Sequence, residues 1–148
     1  MRAQRHPDGF TIVEVLVVVG LLALLLVAAV PQLFAPDEVG VETTARQVAA
    51  DLGLARRLAI ARRVQYVVTF APPGGPYTSY TLAPQGGPPE PDFPKSLPAR
   101  ITATGSGQVT FLPSGAAAAA ALLTFTAASA TAQVDVVATT GRTRVSGP

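Results

Sequence analysis

The hydrophobic pattern of the chain begins with a run that has no period. From Phe10 to Val30 only Thr11, Glu14 and Gly20 interrupt the apolar side chains. A helix over that stretch rises roughly 31 Å, about the thickness of a bilayer's hydrocarbon core, so it is expected to span a membrane. Pro31 and Pro36 then bracket residues 32–35. Each proline removes a helix hydrogen bond and crowds the carbonyl four residues back, and a kink or short break is expected between them. Pro36 also suits the opening of a new helix, with Asp37 and Glu38 in a first turn where the helix dipole favours negative charge.

From Val41 the apolar positions Val41, Ala45, Val48, Leu52, Ala55 and Ala59 recur in alternating steps of four and three. That is the period of an amphipathic helix, expected to end near Arg63. Leu54, Leu58 and Ile60 widen its apolar face toward a sheet. Arg56, Arg57, Arg62 and Arg63 crowd its last turns and read first as a solvated helix end whose charge complements the dipole.

The period then shortens. Val64 to Phe70 is rich in β-branched and aromatic residues and predicts a strand; Pro72 to Pro76 predicts a turn, and Tyr77 to Leu82 a second strand. The stretch from Pro84 to Pro98 holds six prolines and two glycines, which predicts a surface loop without regular structure. Further strands are expected at 100–104, 108–112, 122–127, 133–138 and 142–146. The Ala116 to Ala121 run fits a short helical turn or a disordered linker equally well.

These elements predict an α+β chain. A long N-terminal hydrophobic helix (10–35) continues into an amphipathic half (36–63), which packs on a small antiparallel β-sheet domain (64–148). The apolar half protrudes from that domain, so it must lie in a membrane or be covered by neighbours in an assembly. A filament meets both conditions.

Composition narrows the chemistry. At 148 residues there is room for one spanning helix and one small domain. The absence of cysteine excludes disulfides and thiolate metal sites. The single histidine, His6, precedes the apolar run, and beyond it no His, Cys or clustered Asp/Glu set is available to activate a Ser or Thr. No enzymatic activity, cofactor or metal is therefore expected. Asp37, Glu38 and Glu42 are explained by the start of a helix, and a calcium site using Glu90 and Asp92 is the one metal alternative. The formal charge of +2 argues for no polyanion partner, but its distribution is uneven: after Phe93 the only acid is Asp135, against Lys95, Arg100, Arg142 and Arg144.

Glu14 is the residue that an ordinary anchor does not explain. A carboxylate inside an apolar span costs at least about 2.5 to 3.5 kcal/mol near the bilayer centre and usually has a named partner. No Lys or Arg lies between Arg5 and Arg46 to serve. If the chain were cut between Gly9 and Phe10, the new α-amino group would lie one helical turn from Glu14 in its own chain, or could meet the Glu14 of an adjacent subunit. The competing reading is a secretory signal peptide with Arg2 and Arg5 as its basic region and cleavage near Ala28 or Ala29. The length of the apolar run and the presence of Glu14 count against it.

A short basic leader ending in Gly9, followed by Phe10-Thr11-Ile12-Val13-Glu14-Val15, resembles the type IV pilin superfamily. The resemblance implies a pilin-like fold and removal of residues 1–9 by an inner-membrane prepilin peptidase. It further implies N-methylation of Phe10 and a role for Glu14 in setting subunit register during assembly. Three later stretches resemble the GspH/FimT-type minor pilins: Leu54 to Ile60 with Arg63, Phe111-Leu112-Pro113-Ser114-Gly115, and Val136 to Val145 with its Gly141-Arg142-Thr143-Arg144 element.

In an extended segment Arg142 and Arg144 lie on one face about 6.6 to 6.8 Å apart, and DNA phosphates along one strand recur every 3.4 Å or so, so both can meet one backbone. FimT-type pilins with this motif imply DNA capture in natural transformation. The expected DNA-binding residues are thus Gly141, Arg142 and Arg144, with Arg100 and Lys95 as further candidates; the duplex would be bound weakly and without sequence preference. The equal alternative is that the two arginines are the solvated face of a last strand.

The resemblance implies a minor type IV pilin, in or at the tip of a pilus, that binds DNA. Its alternative is an H-type minor pseudopilin of a type II secretion system that does not. Implied partners are other major and minor pilins, the prepilin peptidase, the inner-membrane assembly platform, double-stranded DNA and the membrane. Implied location is the bacterial inner membrane, single-pass with a periplasmic domain, and the pilus or cell surface after assembly.

Overall fold

A computed structural model describes residues 11–33, 37–128 and 130–147, the side chains of 25–39 excepted. The chain divides into two units, residues 1–35 and 36–148. In the first, helix α1 (Ile12–Leu33) runs unbroken through Pro31, and its side chains from Ile12 to Leu24 are exposed. Among the described residues no helix is long and apolar enough to cross a membrane; the α1 backbone continues past its last described side chain, Leu24. The break expected within 32–35 falls partly on residues 34–36, outside the described ones.

The second unit begins with helix α2 (Asp37–Arg62). Val41, Ala45, Val48, Leu52, Ala55 and Ala59 are all buried, so the four-three spacing is the contact stripe. The flanking apolar residues differ: Leu54 and Leu58 are half-buried and Ile60 stays exposed. Helix α2 stops because Arg63 adopts a left-handed conformation (φ 56°), the conformation that commonly closes a helix and is here taken without glycine.

Eight strands follow: β1 (Tyr66–Ala71), β2 (Ser79–Pro84), β3 (Lys95–Ser96), β4 (Thr102–Gly105), β5 (Gln108–Phe111), β6 (Ala121–Ala127), β7 (Ala130–Val136) and β8 (Thr143–Ser146). The sequence pattern predicts one sheet, and two are present. The first has the order β3-β2-β1-β5 and the second β4-β6-β7-β8, all antiparallel where they pair. Single bridges, Tyr77 to Ala103 and Phe111 to Ala117, extend the pairing beyond the strands. Helix α2 crosses both sheets and touches β1, β5, β6, β7 and β8. Strand β6 turns Ala121, Leu123, Phe125 and Ala127 inward, and β7 turns Ala130, Ala132, Val134 and Val136 inward, the alternation of a sheet with one wet face.

Two local expectations are corrected. The 84–98 segment is not free of regular structure, because β3 pairs with Ser79 and Tyr80 and Leu97 is buried. The alanine run forms neither a helical turn nor a linker. Ala117 N–H donates to Ala138 O and Ala118 N–H to Thr110 O (2.8 Å each), and Ala121 opens β6. Small side chains permit that close crossing. Every buried apolar side chain among the described residues lies between Val41 and Val136, so residues 36–148 carry a complete core of their own.

Candidate functional site

At the N-terminus, Gly9 and Phe10 lie outside the described residues. Thr11 caps α1: its Oγ1 accepts the backbone N–H of Glu14 at 3.2 Å. Thr11-x-x-Glu14 is the sequence of a capping box, so Glu14 occupies the third helical position, one turn from the helix start, with its side chain exposed.

Three separate stretches of sequence converge on the far end of α2. Arg56 Nε donates to Gly115 O at 2.9 Å, tying the helix to the turn after β5. Gly115 (φ 84°) is buried there, its N–H donating to Leu112 O at 2.8 Å. Gly141 (φ 60°) is buried against the same carbonyl; a Cβ at Gly141 would collide with Gly115 O and lie 3.2 Å from Arg56 Nε. Gly141 N–H closes its own turn onto Val137 O at 2.7 Å, and Val137 N–H onto Arg142 O at 3.0 Å. The helix-end arginine, the Phe-x-Pro-x-Gly turn and the Gly-Arg-x-Arg turn are one structural unit.

Beside this unit runs an open groove of about 420 Å³. It is lined by Ala49, Ala50, Gly53, Arg56 and Arg57 of α2 and by Gly141, Arg142 and Thr143 of the last turn. It contains three guanidinium groups and no carboxylate. Arg57 leans over it, with Nη1 3.7 Å from where a Cβ on Gly53 would be. The Thr143 hydroxyl is buried without a partner among the described residues.

The other expected basic residues do not join this set. Arg144 is exposed but stands opposite Asp135 in the β7–β8 register. Arg100 precedes β4 at the other edge of the second sheet, near the β6–β7 turn; three strand spacings and about six residues of strand put it on the order of 25 Å from Arg142. Lys95 Nζ is held by both Asp51 carboxylate oxygens at 2.9 Å and lies 4.8 Å over the Phe93 ring.

That Lys95 contact belongs to a second cluster on the opposite flank of α2. Asp51, 7% exposed, also accepts the Tyr80 hydroxyl at 2.6 Å. Further along the helix Arg62 pairs with Glu90, and the Tyr66 hydroxyl donates to Glu90 at 2.7 Å. The two clusters clasp the proline-rich segment to α2 at its middle, Glu90, and toward its end, Lys95. Burial, then the hydrogen bond to a carboxylate, raises both phenols: Tyr66 above its ordinary value and Tyr80 well above it. Glu90 is thus engaged by Arg62 and Tyr66, and no group of three or more potential metal ligands occurs among the described residues.

The sequence reading missed the cap at Thr11 and the buried Asp51, and it placed Arg57 with the solvated end of the helix. The capping box was visible as Thr-x-x-Glu. Asp51 was visible as a carboxylate beside the Val48/Leu52 core stripe, a position that requires a partner. Arg57 was visible only as one of four arginines at the helix end, because its groove is completed by residues some 85 positions later, roughly the span from helix to last strand.

No curated protein matches the chain in sequence. Among solved structures, the type IV minor pilin FimU of Pseudomonas aeruginosa superposes with a TM-score of 0.60 at 14% identity, covering 73% of this chain and 92% of that one. The minor pseudopilin EpsH from the Type 2 Secretion System of Vibrio cholerae gives 0.60 at 14%, covering 73% and 97%. At such identity these fix the fold. Residues 5–30 match the prokaryotic N-terminal methylation motif, which spans the Gly9–Phe10 junction and Glu14. Residues 44–141 match the family described as Type II transport protein GspH, a span that includes Arg56, Gly115 and Gly141 and stops one residue before Arg142. The chain belongs to the GspH family, as a minor pilin or pseudopilin of the type IV pilin fold that carries the N-terminal methylation motif.

Proposed function

We propose that this protein is a minor type IV pilin, in or at the tip of a pilus, that takes up DNA by its backbone. In this reading residues 1–9 are removed by a prepilin peptidase, Phe10 becomes the methylated N-terminus, and residues 10–35 anchor the subunit in the inner membrane until assembly. Membership of the pilin families implies association with other pilins in a pilus or pseudopilus. The DNA reading rests on one observation: Arg142, exposed after the buried Gly141 turn, opens onto a groove with three arginines and no acid. Arginine suits phosphate because its planar fork binds two oxygens at once. No aromatic ring lines the groove to stack on bases, so sequence preference should be absent.

A gel-shift titration of residues 36–148 with duplex DNA tests this, with the Arg142→Gln/Arg144→Gln double variant beside it. Binding lost in the variant supports the reading; equal binding removes it. Glu14→Ala should leave leader cleavage intact and block incorporation into filaments, and normal incorporation would end the pairing role of Glu14.

The family description and the EpsH fold favour a second reading, an H-type pseudopilin acting in protein export without DNA binding. Deleting the gene and scoring transformation, twitching and exoprotein secretion separates the two.

A further inference from the structure

The groove between α2 and the Gly141 turn is lined by three arginines, of which Arg57 and Arg142 have no side-chain partner among the described residues. Its two walls come from different parts of the chain. One is the Gly141–Thr143 turn, already read above as the DNA-contacting element. The other is the outer face of α2, where Arg56 and Arg57 stand next to each other with different duties. Arg56 is half-buried and spends its Nε on Gly115 O. Arg57 is exposed, makes no side-chain hydrogen bond or ion pair among the described residues, and holds its guanidinium over Gly53. The helix also lines the groove with Ala49, Ala50 and Gly53, three residues with almost no side chain to keep a ligand backbone out.

We infer that Arg57 is a second phosphate-contacting residue, facing Arg142 across the groove so that a nucleic-acid backbone is held between helix α2 and the last turn. The inference rests on the reading of Arg142 as a DNA contact and extends it to a residue outside the Gly-Arg-x-Arg element. Arg56 is a positioning residue in the same device: through Gly115 O it fixes the turn against which Gly141 packs, and so the place from which Arg142 projects. A bridge from one wall only would leave a mobile arginine to be ordered by the ligand. Two walls on a rigid helix and a tight turn need less ordering on binding.

The test measures affinity of the 36–148 unit, which carries its own core, for a short duplex as a function of salt. Two backbone contacts (Arg57 and Arg142) give a log-log slope near −1.8, and one gives about −0.9. Arg57→Gln should bring the slope from the first value toward the second and weaken binding about 3- to 10-fold at low salt, the order expected of one exposed charged contact. Arg57→Lys should keep the slope and recover only part of the affinity, because the charge is retained and the fork is lost. Arg100→Gln removes the same charge far from the groove and should change little. If Arg57→Gln binds as the wild type while Arg142→Gln is impaired, the inference is wrong and the DNA reading survives. If Arg100→Gln weakens binding as much as Arg57→Gln, the effect is one of net charge and the inference also fails. If the wild-type unit does not bind duplex at all, the DNA reading falls and this inference with it.

Discussion

The two flanks of α2 treat charge in opposite ways. At 3.6 residues per turn, Asp51 and Arg62 fall within about 20° of one another on one side of the buried stripe, and Ala49, Ala50, Gly53, Arg56 and Arg57 fall on the other. On the first flank Asp51 and Arg62 both have counterparts: Asp51 meets Lys95 and Tyr80, and Arg62 meets Glu90 and Tyr66. On the second, Glu42 and Arg46 pair with each other nearer the helix start, while further along Arg56 meets a backbone carbonyl, and Arg57 and Arg142 meet solvent. The matched flank fastens a loop. The unmatched flank is where an external anion finds cations whose hydration is the only thing it must replace. Lys95 and Arg142, which look equivalent in the sequence, are therefore not equivalent in what they can bind.

The sharpest way to break the unmatched flank is through its glycines. Gly141→Ala places a Cβ into the Gly115 carbonyl, a backbone atom that cannot move away cheaply, at a φ of 60°. A destabilisation of about 3 kcal/mol is expected, combining left-handed strain with the clash. Gly115→Ala shares the left-handed backbone (φ 84°) but meets the Cδ1 of Ile60 at 2.8 Å, the mobile end of an exposed side chain. It should cost less, about 1 to 2 kcal/mol. Urea denaturation of the two variants checks the order, and equal costs would show that Gly141 is not the tighter contact.

The matched flank breaks by removing Asp51. Asp51→Ala leaves the Tyr80 hydroxyl without its acceptor on a residue only 2% exposed, and a loss of about 1 to 3 kcal/mol follows. Arg57→Ala, on the other flank, should stay within about 0.5 kcal/mol. Denaturant midpoints of the pair measure the asymmetry directly. A large loss in Arg57→Ala would mean that this side chain holds the fold and is not free for a ligand.

Much of this was legible in the sequence, and the boundary is physical. The Val41 to Ala59 stripe, seven of the eight strands and the methylation motif are local patterns that appeared where expected; β3 was not expected. The division into two sheets was not legible, since it depends on which strand pairs with which. Nor was the fate of Ala116 to Ala121, because an alanine run carries no period and its path is set by the Ala138 and Thr110 backbone groups it reaches. The basic patch was half legible. The turn that places Arg142 could be read from its sequence, whereas the groove that Arg142 shares with Arg57 and the contact of Lys95 with Asp51 exist only once distant segments are folded together.

The matched flank also makes a pH prediction. Tyr66 and Tyr80 both titrate above the ordinary tyrosine value near 10, because burial and a neighbouring carboxylate disfavour the phenolate. Their folded values exceed their unfolded ones, so the stability they contribute is complete below pH 10 and is lost as pH rises past it, when the unfolded chain releases protons first. Urea midpoints should fall steadily above pH 10. In the Tyr66→Phe/Tyr80→Phe double variant that fall should be shallower; an unchanged slope would assign it to other groups.

The smallest expected difference lies between the two arginines of the last turn and strand. Arg142 opens onto a groove without carboxylates, whereas Arg144 faces Asp135 across the β7–β8 ladder. Opposite charges directly across a ladder attract by roughly 0.2 to 1 kcal/mol, and an anion must compete with that pairing to engage Arg144. Arg142→Gln should therefore weaken duplex binding more than Arg144→Gln, by about two- to five-fold for such an energy. Asp135→Asn supplies the complement: it frees Arg144 and should strengthen binding by a similar factor while leaving Arg142 untouched. Equal effects of the two arginine variants, together with no gain from Asp135→Asn, would mean that the whole strand face acts as one diffuse field and that the groove confers no preference.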